Sequence, residues 1–153
     1  MDPAPATPGA EVFGSFGQRL AAAVIDGLVV FAVGSALEVA GVPALALAVL
    51  GGVYSVALEG SRSGQTLGKR VLGIRVVDLR TGGPIGYGRA SARYVARGVI
   101  GGAPLLVGPI GSLLLVGFLW MLWDPERQAW HDKVARSVVV RADSYPVESW
   151  PGW

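Results

Sequence analysis

Arg19 and Asp26 are the first residues whose types and spacing could do chemistry. Their positions differ by seven, so on an α-helix they share one face with roughly 10 Å of rise between them. Asp26 is the only charged residue from Leu20 to Leu37. A carboxylate in such a segment costs about 2.5 to 3.5 kcal/mol on membrane-insertion scales. We therefore expect Asp26 to face protein or water, either as an ion-binding group or as a hydrogen-bonding contact between helices.

Hydroxyl groups follow in the next apolar segment and could complete a site around Asp26. Tyr54 and Ser55 lie in the run from Ala44 to Leu58, and we take Asp26, Tyr54 and Ser55 as candidate ion-binding residues. A sodium site would need oxygen ligands only. The chain has one histidine and no cysteine, which argues against a transition-metal centre. We expect no metal and no cofactor.

His131 and Asp132 form a second polar position near the end of the chain. Histidine titrates near neutral pH, so His131 could handle a proton. The reading we favour instead places it at the membrane interface beside Trp130. No nucleophile-base pair is visible, and Asp26 and Asp132 are far apart in sequence. We therefore expect no catalytic residues and no enzyme.

Basic residues concentrate in one segment, from Gly60 to Arg97, whereas the short loop from Glu38 to Pro43 has none. By the positive-inside rule, the basic segment and the amino terminus are cytoplasmic. Arg89, Arg93 and Arg97 recur every four residues and would form a stripe on a helix that starts near Gly88. Such a stripe is typical of binding to lipid phosphates, so we expect an anionic bilayer as partner and no nucleic acid.

The composition is that of a protein embedded in a membrane. Hydrophobic residues make up 52% of the chain and charged residues 16%, with a mean hydropathy of +0.50. Three apolar runs cover about residues 20–37, 44–59 and 98–122. The first is roughly 27 Å long as a helix, close to the thickness of the hydrocarbon core. The prediction is an all-α, multi-pass protein of the cell membrane with three transmembrane helices.

The third run allows two topologies, because Pro104 and Pro109 interrupt it. It could cross the membrane once with a kink, or return as a re-entrant hairpin. A short strand is predicted around residues 74–78, and the run of valines at 138–140 is a second candidate that could pair with it. Pairing requires both strands on one side of the membrane and favours the hairpin, whereas length favours a single crossing. We adopt three spans, a disordered tail at 1–13, a membrane domain at 14–141 and a second tail at 142–153. The location of the first apolar run does not fit a secretory signal.

Together these motifs resemble the RDD family of small integral membrane proteins. The resemblance rests on Arg19, on Asp26, and on the blocks GQTLGKRVLGIRVVD at 64–78 and WDPERQAWHDKVARSVVV at 123–140, and it spans roughly residues 14–141. It implies that Arg19, Asp26 and Asp132 are the family's signature residues, with Asp124 as the competitor for the third position. Ser137 stands where a threonine commonly precedes the valine run.

The resemblance implies transport of an unidentified small ion or ligand, and sodium/proton exchange is associated with some members. A single copy with three spans offers little interface for a transport site, so transport would require a homo-oligomer or another membrane protein as partner. The alternative function is that of a non-transporting accessory subunit or assembly factor. In that role the charged signature residues would contact another membrane protein.

Overall fold

The computed structural model describes the backbone of residues 10–111 and 116–146, and the side chains of residues 11–99 and 116–146. Parts of three predictions therefore lie outside the described residues. These parts are the first nine positions of the amino-terminal tail, positions 112–115 of the third apolar run, and positions 147–153 of the carboxyl-terminal tail.

Two antiparallel helices form the apolar hairpin. Helix α1 spans Phe16–Val39 and starts with a reciprocal cap: the Gln18 N–H donates to the Ser15 hydroxyl at 3.2 Å, and the Ser15 N–H donates to the Gln18 side chain at 3.0 Å. Gly41, with φ of +83°, reverses the chain, and helix α2 spans Ala44–Glu59. Within the described residues, α1 is the one helix long and apolar enough to cross a membrane, and α2 is shorter.

A two-stranded antiparallel sheet joins the middle of the chain to its end. Strand β1 spans Ile74–Asp78 and strand β2 spans Ser137–Arg141. Their register pairs Ile74 with Arg141 and Asp78 with Ser137, so the two candidate strands do pair, which was the alternative that favoured a hairpin over the three adopted spans. The fold is mostly helical, and the all-α class is corrected by this sheet.

The sheet carries buried apolar side chains on both faces. Ile74, Val76 and Val139 pack with Ala22 of α1 on one face. Phe13, Val77, Val138 and Val140 form the core on the other face. Because α1 and the sheet share the first of these cores, the polar end of α1 is fixed against the sheet.

Shorter helices complete the fold around the sheet. Helix α3 spans Leu67–Val71, α4 spans Gly86–Gly111, α5 spans Val116–Leu119 and α6 spans Trp130–Val134. Helix α4 starts where the arginine stripe predicted a helix and continues through Pro104 and Pro109. Since β1 and β2 are paired, the chain between them leaves and returns on the same side. A single crossing by residues 98–122 does not fit this pairing, and three spans are not confirmed.

Ordered structure extends into both segments that were assigned to tails. Residues Ala10–Val12 form a helical turn, and Phe13 pairs with Val140 and is buried. At the other end, the Ala142 N–H donates to the Gly73 carbonyl at 2.7 Å, and Tyr145 lies under the Arg75 guanidinium. Residues 10–13 and 142–146 therefore belong to the folded part of the chain.

A buried charge cluster as the candidate functional site

Asp26 of α1 accepts hydrogen bonds from α2 and from the segment that follows α2. The Tyr54 hydroxyl and the Gly68 N–H each donate to its Oδ1 at 2.8 Å, and the Thr66 hydroxyl donates to its Oδ2 at 2.5 Å. The expected contact with Tyr54 is thus present. The expected contact with Ser55 is not among the hydrogen bonds that Asp26 makes within the described residues.

Gly68 allows α3 to approach α1 closely enough for this contact. A Cβ added at Gly68 would lie 2.1 Å from the Ala22 carbonyl oxygen and 3.0 Å from Cγ of Asp26. Any side chain here would separate the two helices, because backbone atoms cannot yield at that distance. Sequence reasoning identified neither Gly68 nor Thr66 as a partner of Asp26. The short Thr-Leu-Gly spacing in the 64–78 block was the available signal.

Asp132 of α6 is the partner of Arg19, and the described side chains do not pair Arg19 with Asp26. Nη1 of Arg19 lies 2.6 Å from Oδ2 of Asp132, and Nη2 of Arg93 lies 2.8 Å from Oδ1. The Ala129 N–H also donates to Oδ2 at 3.0 Å, and the Asp132 side chain is fully buried. The competitor Asp124 contacts Lys133 instead and accepts the Gln128 N–H.

Glu59, at the end of α2, is the second buried carboxylate. It forms ion pairs with Lys69, with Nε of Arg93 at 3.2 Å and with Nη2 of Arg97 at 3.1 Å. Arg93 therefore bridges Glu59 and Asp132. Sequence reasoning missed Glu59 and Lys69. The signal was a lone carboxylate at the end of an apolar helix, directly before a basic segment.

The predicted lipid-facing arginine stripe is wrong at its centre. Arg93 is 2% exposed, so its guanidinium contacts carboxylates inside the fold and cannot reach lipid phosphates. Arg89 pairs with Asp78 and Arg97 with Glu59, although both side chains stay partly exposed. The four-residue spacing did predict one helix face, but that face turns toward the protein's own acidic residues.

The surroundings shift the pKa values of Asp132, Lys69 and the neighbouring His131. Burial by itself would raise the pKa of Asp132, but Arg93 and Arg19 hold it well below its ordinary value. Burial lowers the pKa of Lys69 to about 8, against the opposing effect of Glu59. Burial also lowers the pKa of His131 to about 3, so its imidazole is neutral at pH 7. His131 is buried, with its ring 5.6 Å from that of Phe118, and is not the interfacial residue we favoured.

The ion-paired buried residues form one group, which we call the charge cluster and which consists of Arg19, Glu59, Lys69, Arg93, Arg97 and Asp132. Its positive charge exceeds its negative charge. Four cations face two carboxylates. The described residues hold no group of three metal-ligating side chains, so the arrangement favours contacts with negative groups over metal binding.

Comparisons with known proteins place the same residues in a family. The chain matches the RDD family over residues 13–136, a range that includes both ends of the Arg19–Asp132 pair. A proline-rich antigen homolog of Mycobacterium tuberculosis strain ATCC 25618 / H37Rv is 36% identical over 77 residues, which cover 50% of this chain and 28% of that protein. The proline-rich antigen of Mycobacterium leprae strain TN is 30% identical over 88 residues, or 58% of this chain and 31% of that protein. Each match thus spans less than a third of the relative's own length. No solved structure matches the chain.

Proposed function

The chain belongs to the RDD family of membrane-associated proteins, and from this premise we propose that it is a non-enzymatic, multi-pass protein of the cell membrane that transports a small ion or ligand as a homo-oligomer. The observation that carries the proposal is the charge cluster at the end of the α1–α2 hairpin. The cluster has two excess positive charges, and most of its side chains are buried where α2 ends and α1 begins, α1 being the described helix that is long and apolar enough to cross a membrane. Ionic groups buried inside a fold are costly, and in membrane proteins buried ionic groups are typical of ligand pathways.

The oligomer is part of the proposal because the groove seen in the described part of one copy is open. The α1–α2 hairpin leaves a groove open on its side, lined by Val29, Val30, Val33, Leu47, Leu50 and Tyr54. Side chains on the outer surface of the hairpin are strongly exposed and apolar; Phe31 is 72% exposed and Leu45 is 78% exposed. Lipid or further copies would cover these surfaces, and further copies would supply the interface at which transport sites are usually built.

The proposed topology places the charge cluster and the sheet on the cytoplasmic side. The basic residues concentrated between Gly60 and Arg97 support this orientation, as does their absence from the Glu38–Pro43 loop. Helices α1 and α2 cross as a hairpin, and the chain between β1 and β2, which includes α4, returns to the side on which it began. The anionic leaflet would then lie next to the basic segment.

In this proposal Asp26 has a structural role, the fastening of α3 to α1, and does not bind the transported ion as its position had led us to expect. Three donors occupy its oxygens, and the Gly68 N–H among them cannot become a cation ligand. A sodium ion on Asp26, Tyr54 and Ser55 would have to displace that backbone donor. Asp26 therefore holds α3 against α1.

Flux into liposomes tests the proposal. Full-length protein would be reconstituted and supplied with gradients of sodium, protons or phosphate, beside the Asp26→Asn variant and empty vesicles. We expect gradient-driven flux above that of empty vesicles, and flux by Asp26→Asn in proportion to its folded fraction. No flux of any of these solutes from folded, inserted oligomers would overturn transport. Flux that disappears in fully folded Asp26→Asn would overturn the fastening role and return Asp26 to the pathway.

A second candidate function is that of an accessory subunit for another membrane protein. The extent of the exposed apolar surface on α1 and α2 favours it, because that surface could pack against transmembrane helices of a different protein. In this case the purified chain would stay monomeric in detergent and show no flux. A stable homo-oligomer with flux of its own would contradict the accessory role.

A further inference from the structure

We propose that Arg19, Arg93 and Arg127 form a binding site for a phosphate-type oxyanion, carried either by a dissolved phosphate or by a lipid headgroup. The inference deepens the proposed function. The statement that this anion is the transported solute rests on that proposed function. The binding site itself is argued from charge, burial and unpaired donors.

The first argument is the charge balance around Asp132. Arg19 and Arg93 both form ion pairs with this carboxylate. Arg93 also pairs with Glu59, and Glu59 is the only partner given to Lys69 and Arg97 among the described ion pairs. His131 is neutral at pH 7 and does not change this balance. A buried set of charges is stable when its members are paired, so the excess of cations calls for a further anion.

The second argument is the set of buried donors that lack a hydrogen-bond acceptor. Nε and Nη2 of Arg19 have none, and Nε of Arg93, whose side chain is 2% exposed, lies 3.2 Å from Glu59 without forming a hydrogen bond to it. Buried donors of this kind are nearly always satisfied in folded proteins. Those of Arg19 and Arg93 belong to guanidinium groups that share Asp132, so one acceptor could serve both.

Arg127 is a third arginine whose positive charge acts on Arg19. Its positive charge acts repulsively on Arg19, and among the described residues no carboxylate pairs with it. The side chain is half-buried, and that of Arg19 retains 11% exposure, so the site reaches the surface here. Two neighbouring arginines that repel each other are stabilised when an anion binds between them.

The chemistry of the donors selects an oxyanion with several acceptor atoms. A guanidinium group presents planar, paired N–H donors, which match the oxygen atoms of phosphate in a two-bond arrangement. A metal cation would be repelled. A single-atom anion such as chloride could satisfy the charge but lacks the two acceptor atoms that match the paired N–H donors of a guanidinium group.

Binding of inorganic phosphate to the full-length protein tests the site. The protein would be placed in nanodiscs of phosphatidylcholine and titrated calorimetrically with phosphate, with chloride at equal ionic strength as the reference. Arg127→Gln should weaken phosphate binding roughly tenfold, which corresponds to the loss of one charge-assisted contact. Arg127 makes no ion pair within the described structure, so this variant should fold.

Arg136→Gln is the matched control. Arg136 is an exposed arginine in the same part of the chain and, like Arg127, has a positive φ, 47° against 51° for Arg127. It should leave phosphate affinity unchanged. Arg19→Lys is a second variant that keeps the charge opposite Asp132 but removes the spare donors. It should weaken phosphate binding while its denaturation profile shows a folded protein.

The source of the anion is decided by changing the lipid. If the site takes a headgroup, nanodiscs with phosphatidylglycerol should suppress binding of dissolved phosphate in the wild type and retain fewer bound anionic lipids in Arg127→Gln. If it takes dissolved phosphate, lipid composition should leave the phosphate affinity unchanged. Either result supports the oxyanion site.

Three results would overturn the site: no saturable binding of phosphate or anionic lipid, equal weakening by Arg127→Gln and Arg136→Gln, or equal affinity for chloride. Failure of the site and failure of transport are separable. Phosphate binding without flux would refute transport and leave the site in place. Flux of sodium or protons without anion binding would refute the site and leave transport in place.

Discussion

Arg19 and Asp132 are 113 positions apart in the sequence, yet their side chains form a 2.6 Å ion pair. The pair joins the first turn of α1 to α6 and thereby links two segments that lie near opposite ends of the folded part of the chain. Arg93 of α4 contacts the other oxygen of the same carboxylate. Three helices that are far apart in sequence therefore depend on a single buried acidic side chain.

Asp132→Asn should be among the most destabilising single substitutions in this protein. An asparagine keeps the size of the side chain but leaves Arg19 without its counter-charge in a buried position and leaves Arg93 with Glu59 alone. Removing one partner of a buried ion pair costs about 3 to 5 kcal/mol in unfolding free energy. Chemical denaturation of the purified protein in detergent measures the effect.

Asp143→Asn is the control for that substitution. Asp143 also pairs with an arginine, Arg141, but its side chain is 63% exposed. Exposed pairs contribute little to stability, so no measurable change is expected. Similar destabilisation by both substitutions would show that the burial of Asp132 is not what makes it important.

Gly68→Ala should separate α3 from α1 and weaken the hydrogen bonds to Asp26. The added methyl group would lie 2.1 Å from the Ala22 carbonyl oxygen, which forces a backbone shift. Overpacking of this kind costs about 1 to 3 kcal/mol of unfolding free energy. Gly88→Ala in α4 is the matched control, because its Cβ would meet nothing within 4 Å. An unchanged melting temperature in Gly68→Ala would contradict the close helix approach.

The parts of the structure that could be predicted are those encoded by local pattern. The α1–α2 hairpin follows from two apolar runs and a short loop, the two strands follow from valine-rich segments, and Tyr54 was correctly directed at Asp26. These predictions needed only periodicity and the distance along one hairpin.

The charge cluster could not be predicted, because it depends on contacts between distant segments. Arg93 looked like part of an exposed stripe, and only the packing of α4 against α6 and the end of α2 turns it inward. Glu59 drew no prediction from the sequence for the same reason. The class was called all-α because each strand alone is only five residues long, too short to dominate the sequence pattern.

His131 should make the protein's stability fall as the pH is lowered. Burial lowers its pKa from 6.5 to about 3 in the folded protein, although Asp132 opposes the shift. Between these values the unfolded chain binds a proton at His131 and the folded chain does not. The stabilising contribution is therefore fully present above about pH 6.5 and is lost progressively toward pH 3.

The variant His131→Asn isolates this effect from the titration of the carboxylates. It should show a shallower decrease of unfolding free energy from pH 6.5 to pH 4 than the wild type. Denaturation midpoints measured at half-unit pH steps give both slopes. Parallel slopes for the two proteins would mean that His131 already binds its proton in the folded state.

The side of the membrane on which each loop lies can be measured directly, because the chain has no cysteine. Single substitutions Val39→Cys, Arg80→Cys and Asp143→Cys place a thiol at three exposed positions, one in the α1–α2 connection and one beyond each strand. Since β1 and β2 pair, Arg80→Cys and Asp143→Cys must lie on the same side. In sealed right-side-out vesicles, a membrane-impermeant maleimide should label Val39→Cys and leave the other two unlabelled until the membrane is permeabilised. Labelling of Asp143→Cys together with Val39→Cys would instead require a single crossing by the third apolar run, and the paired sheet could not then exist in the membrane-inserted protein.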